Sequence, residues 1–119
     1  MRASLALLLF AGCYEENWTI VDKRPNASES RFWGRVTNHD GTFMSGVSNY
    51  PLMPGEPTRF TVSGPLPVVE IRNMSVKAWL RDPTDTTPCE VDTCEPDAGS
   101  PTVELKNVSY PWNYNITFE

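Results

Sequence analysis

The chain has 119 residues, with ten Lys plus Arg against fifteen Asp plus Glu, a formal net charge of −5 and a pI near 4.8. That length leaves room for one domain. The acidic balance supplies no basic stripe to neutralise phosphates or to hold an anionic membrane, which excludes nucleic-acid and polybasic membrane-surface roles.

At the N-terminus, Met1-Arg2 precedes the apolar run Ala3–Phe10 and the small residues Ala11-Gly12-Cys13. This is the layout of a secretory signal, too short to span a bilayer, and residues 1–13 are read as a signal peptide. Cleavage after Cys13 gives a secreted chain that starts at Tyr14. Alternatively, Phe10-Ala11-Gly12-Cys13 resembles a bacterial lipobox, and Cys13 then anchors a surface lipoprotein through its lipid. Either route removes Cys13 from pairing and leaves Cys89 and Cys94 for a short disulfide in an export compartment. Zinc needs more ligands than these two Cys and the single His39 supply.

Five of the eight Asn open an Asn-x-Ser/Thr triplet: Asn17, Asn26, Asn73, Asn107 and Asn115. Such triplets are glycosylated only in the secretory lumen and only when exposed, so their excess predicts a secreted glycoprotein. The competing reading is that some are plain turn or strand residues.

Residues 14–30 are polar and show no lasting period, which predicts an exposed leader or edge segment. Residues 31–119 are read as the folded domain. Arg31–Thr37 is a strand candidate closed by the turn signal Asn38-His39-Asp40-Gly41. Thr42–Tyr50 is a second, interrupted at Gly46, and Pro51–Pro57 a loop because Pro cannot donate to a ladder. Thr58–Gly64 alternates, with Phe60 and Val62 on one face. Val68–Leu80 is one long strand or two, and Met74, Val76, Ala78 and Leu80 share a face. Asp82–Ser100 is a loop holding the Cys pair. Thr102–Val108 places Val103 and Leu105 together, and Trp112–Phe118 alternates most strongly. Asn115 falls on its polar face, whereas Asn107 shares parity with Val103 and Leu105, which conflicts with a glycan. Outside the signal no segment has a helical period. The expected fold is all-β, a two-sheet antiparallel sandwich, Ig-like in outline.

Catalysis needs tunable groups converging on one point, and no such set is visible. His39 reads as a turn residue. No nucleophile elbow, phosphate-cradling Gly loop or His pair at metal spacing occurs. The acidic group Asp82, Asp85, Glu90, Asp92, Glu95 and Asp97 lacks calcium-loop spacing and reads as a solvated loop. The expectation is therefore a binding protein with neither enzymatic activity nor cofactor. Four Trp, four Tyr and five Phe are many for so small a core, and such residues either fill it or line a ligand cavity.

From Phe32 onward, the order of features resembles the ML-domain lipid-recognition family of sterol carriers, ganglioside activators and fungal phospholipid-transfer proteins. Asp40–Gly55 is similar to the family's first strand and Pro-Gly turn, and Thr58–Gly64 and Met74–Leu80 to the strands that follow. Cys89 and Cys94 resemble its closely spaced pair. Gly99–Val108, Tyr110-Pro111 and Trp112–Phe118 resemble its Gly, strand, Pro and hairpin strand. The chain departs from the family in having Gly34 and Arg35 where a Cys usually stands, and in lacking the last strand with its partner. The resemblance implies a cavity between two sheets holding a sterol, fatty acid or phospholipid tail, with Phe60, Val62, Val76, Tyr114 and Ile116 as lining candidates. The rival expectation is an extracellular Ig-like domain that binds another protein.

Overall fold

The computed structural model describes residues 13–65, 73–108 and 112–119. The expected signal up to Gly12, the segment 68–72 of the expected long strand and Tyr110-Pro111 lie outside these. Among the described residues there are seven strands and no helix: β1 (Cys13–Asp22), β2 (Ser30–Thr37), β3 (Phe43–Leu52), β4 (Thr58–Pro65), β5 (Met74–Arg81), β6 (Thr102–Val108) and β7 (Trp112–Phe118). They form two sheets, β4-β1-β7 and β3-β2-β5-β6, in a β-sandwich. Every pairing is antiparallel except β1 with β7.

The expectation of an exposed leader over residues 14–30 is corrected by β1. It is the central strand of the three-stranded sheet, and its even residues Tyr14, Glu16, Trp18 and Ile20 are all buried. Its alternation is hidden in the sequence because the inward position between Tyr14 and Trp18 is a Glu. Beyond Asp22 the chain does run exposed, through Lys23, Pro25 and Asn26. The boundary at Pro51 also shifts. β3 continues to Leu52, because it is an edge strand and Pro51 opposite Arg31 leaves no central ladder incomplete.

Between the sheets the aromatic residues interlock. Trp18 stacks on Phe60 at 5.8 Å and meets Tyr114 at 4.8 Å and Phe32 at 5.9 Å edge to face. Phe60 in turn stacks on Tyr50 at 4.7 Å, and Phe32 touches Phe118. Gly34, on the inward face of β2, makes this possible, since a Cβ there would lie 2.7 Å from the Trp18 ring. The Pro54-Gly55 turn is tied back to β1, Gly55 N–H donating to the Asp22 carbonyl at 2.9 Å. Gly55 has φ +85°, a left-handed conformation that glycine adopts without cost.

Candidate functional site

The outer face of the four-stranded sheet is where charge, aromatic rings and the disulfide converge. A strand turns alternate side chains to opposite faces, so Arg31, Trp33 and Arg35 of β2 stand outside while Phe32, Gly34 and Val36 stand inside. β5 is registered so that Arg31 faces Arg81, Trp33 faces Trp79 and Arg35 faces Lys77. The cations step diagonally over the rings: the Arg81 guanidinium lies 5.1 Å from the Trp33 ring centre and that of Arg35 lies 5.3 Å from Trp79.

The loop between β5 and β6 folds back over this ladder. The Trp33 indole donates to the Cys89 carbonyl at 3.0 Å. Arg35 donates to the carbonyls of Val91 at 3.2 Å and Cys94 at 2.8 Å, and pairs with Glu95 at 2.7 Å. Lys77 reaches the other Glu95 oxygen at 2.6 Å, and with Arg35 holds that carboxyl below its ordinary range, the Lys77 bond being the larger cause. Arg81 donates to the Thr87 carbonyl at 2.9 Å and pairs with Asp85 at 2.8 Å. That bond, helped by Thr87, holds the Asp85 carboxyl down at about 2. Val91 seats on Gly46, where a Cβ would meet it at 2.9 Å. Cys89 and Cys94 are disulfide-bonded with Cα atoms 5.3 Å apart, as their spacing predicts.

With its inner side pinned, the loop turns Asp82, Glu90, Asp92 and Asp97 to solvent, the solvated acidic loop expected from composition. No group of three or more His, Cys, Asp or Glu able to hold a metal occurs among the described residues. An open groove of about 440 Å³ runs beside the loop, lined by Arg31, Trp33, Asn49, Arg81, Thr87 and Glu90 among others. Sequence reasoning missed Trp33, Arg35 and Arg81 as a set. The available signal was the Arg-x-Trp-x-Arg alternation of β2, which puts rings and cations on one face.

The lining candidates are brought together, but against one another. Val76, Tyr114 and Ile116 are buried in the core, and Phe60 and Val62 pack on its rim. Phe60 and Tyr114 meet through the Trp18 ring.

Beside them lies an unanticipated polar group. Glu16 is fully buried, and the Ser45 hydroxyl stands 2.8 Å from both of its carboxylate oxygens. The Trp18 Nε1 and the Tyr114 hydroxyl approach the same carboxylate without completing a hydrogen bond. Burial pushes the Glu16 carboxyl up, opposed by Ser45 and then by Trp18 and Tyr114. Burial, with the Glu16 charge, also pushes the Tyr114 hydroxyl up.

All five sequon Asn are exposed. Asn26, Asn73 and Asn107 have φ of 60°, 48° and 57°, the left-handed region that Asn tolerates better than other non-glycine residues. Their presence thus has a backbone reason independent of any glycan. The parity conflict at Asn107 is resolved by a register shift: Val76 faces Leu105 but Met74 faces Val108, so Asn107 turns outward. Asn17 and Asn115 lie on the outer face of the three-stranded sheet. There the Thr61 hydroxyl donates to Asn17 Oδ1 at 2.9 Å, and Asn17 Nδ2 to Asn113 Oδ1 at 3.1 Å.

No helix among the described residues is long and apolar enough to cross a membrane. No protein-family model, curated protein or solved structure matches this chain.

Proposed function

We propose that this chain is an exported, non-enzymatic binding domain that recognises another protein through the disulfide-stapled loop on its four-stranded sheet. One observation carries the reading. A long segment without secondary structure is held rigid by the buried donors of Trp33, Arg35 and Arg81, while its carboxylates are left facing water. Long irregular loops inside small domains are usually functional. A loop ordered in advance loses little conformational entropy on binding, so its contacts convert more fully into affinity. The exposed Asp82, Glu90, Asp92 and Asp97 suit a basic partner surface, and the adjoining groove offers Arg31 and Asn49 as further contacts.

The lipid-carrier reading needs Trp18 to part from Phe60 and Tyr114 before an acyl chain or sterol could enter, which favours the surface over the interior. Binding to a Lys-rich peptide, measured by calorimetry at low and high salt, tests the proposal. Binding that weakens with salt and is lost in an E90Q/D92N/D97N variant of unchanged fold supports it. Equal binding by the variant, or a lipid released from the purified protein in native mass spectrometry, overturns it.

A further inference from the structure

Among the described residues the sandwich has four edge strands, β4 and β7 in one sheet and β3 and β6 in the other. Three carry features that block pairing with another chain. β3 has Pro51 and two register shifts against β2. β6 has charged Glu104 and Lys106 and the register shift at left-handed Asn107. β4 carries Arg59 and ends in Gly64-Pro65. By contrast, β7, Trp-Asn-Tyr-Asn-Ile-Thr-Phe, has no Pro, Gly or charge, and its register against β1 runs unbroken from Trp112 to Phe118.

The open side of β7 is also defined. The Phe118 carbonyl accepts from Lys23 N–H at 2.7 Å and therefore faces β1. Backbone groups alternate sides along a strand, so Trp112, Tyr114, Ile116 and Phe118 point theirs toward β1. Asn113, Asn115 and Thr117 present both N–H and C=O to the open edge.

From this edge we infer that β7 pairs antiparallel with β7 of a second copy of this chain, about a two-fold axis through Asn115. In that register Asn115 faces Asn115, and Asn113 faces Thr117, on both sides of the axis. These are the residues whose amides face outward, so each opposed pair exchanges two hydrogen bonds. Trp112 then lies across from Phe118 and Tyr114 from Ile116, which keeps the apolar face continuous across both molecules. No charge meets a like charge, which matters between two chains of net charge −5. The strand is complementary to itself, as a two-fold interface demands. The joined sheet runs β4-β1-β7 and back through the partner in reverse order. Glycans on both Asn115 side chains would meet at the axis, so glycosylation there and this pairing exclude each other. The inference is independent of the binding reading above.

Sedimentation of unglycosylated protein across micromolar to sub-millimolar concentrations tests it. The expected result is a doubling of mass with concentration, lost in N115K, where two Lys oppose at the axis, and kept in S63K on the opposite edge strand. A mixture of N113K/T117K with N113E/T117E should restore the dimer that each forms poorly alone, because this register sets every Lys against a Glu. Wild-type protein that stays monomeric throughout, or a dimer retained in N115K, overturns the pairing. A wild-type dimer without recovery in the mixture overturns the register.

Discussion

The hydroxyl of Ser45 stands 2.8 Å from both oxygens of the Glu16 carboxylate, joining β3 of one sheet to β1 of the other. Burial raises the Glu16 pKa above its ordinary 4.5, so the folded state keeps this proton more tightly than the unfolded state. The sign follows: stability falls as pH rises from 4.5 through the folded pKa and is level above it. Glu16→Gln should match or trail the natural protein below pH 4.5 and gain on it as pH rises. Urea unfolding on both sides of that value checks this, and a pH-independent difference between the two proteins would count against it. Ser45→Ala, which removes the donor that favours the charged form, should steepen the dependence.

Gly34 leaves room for the Trp18 ring, and a Cβ would meet it at 2.7 Å. Gly34→Ala should cost about 1–3 kcal/mol, as overpacking of a filled core does, despite alanine's better backbone entropy. Thermal unfolding measures the loss. A W18F/G34A double variant should recover part of it, since the contact belongs to the larger ring.

Arg35 is the main tether of the disulfide loop. Arg35→Ala strands the Val91 and Cys94 carbonyls and should cost about 2–3 kcal/mol. Faster hydrogen exchange at residues 89–95, with β1 and β7 unchanged, is the expected signature. Arg35→Lys should recover little, because one ammonium cannot span two carbonyls and a carboxylate in the guanidinium's planar geometry.

The most legible strand was Trp112–Phe118, which has one wet and one dry face. Met74–Leu80 also turns inward the residues that alternation assigns, although its outward Trp79 is buried as well. β1 was obscured because a buried Glu16 breaks its apolar face, and its reason, Ser45, sits 29 residues away. The Arg-x-Trp-x-Arg alternation puts Trp33 and Arg35 on one face but does not show what covers them: Cys89 and Cys94 lie more than 50 residues on and meet them through backbone carbonyls, beside the Glu95 carboxylate. A carbonyl has no side-chain signature. The disulfide was legible because a short gap between two Cys is itself a geometric statement.

The disulfide closes a small ring, so removing it in C89S/C94S should cost about 2 kcal/mol on chain-entropy grounds. The loop should nevertheless stay docked, because Trp33, Arg35 and Arg81 hold the same segment. Slow exchange of the Trp33 indole proton in the variant is the check; a rapidly exchanging indole would make the disulfide the primary tether.

Asn107 serves the backbone at φ 57°. Asn107→Gly should be neutral within about 0.5 kcal/mol, whereas Asn107→Ala should lose about 1 kcal/mol in unglycosylated protein. Equal losses for both would indicate that the Asn side chain, and not the left-handed backbone, is what the position requires.

The parallel pairing of β1 with β7 joins Asn17 to Asn113, 96 positions apart in the chain. The central strand of the smaller sheet therefore waits for the last one, and until Trp112–Phe118 has left the ribosome β1 has β4 alone beside it. The third strand of the smaller sheet is thus added through a contact of high sequence separation, with a larger loop-closure cost than the pairing of β2 with β3 in the other sheet.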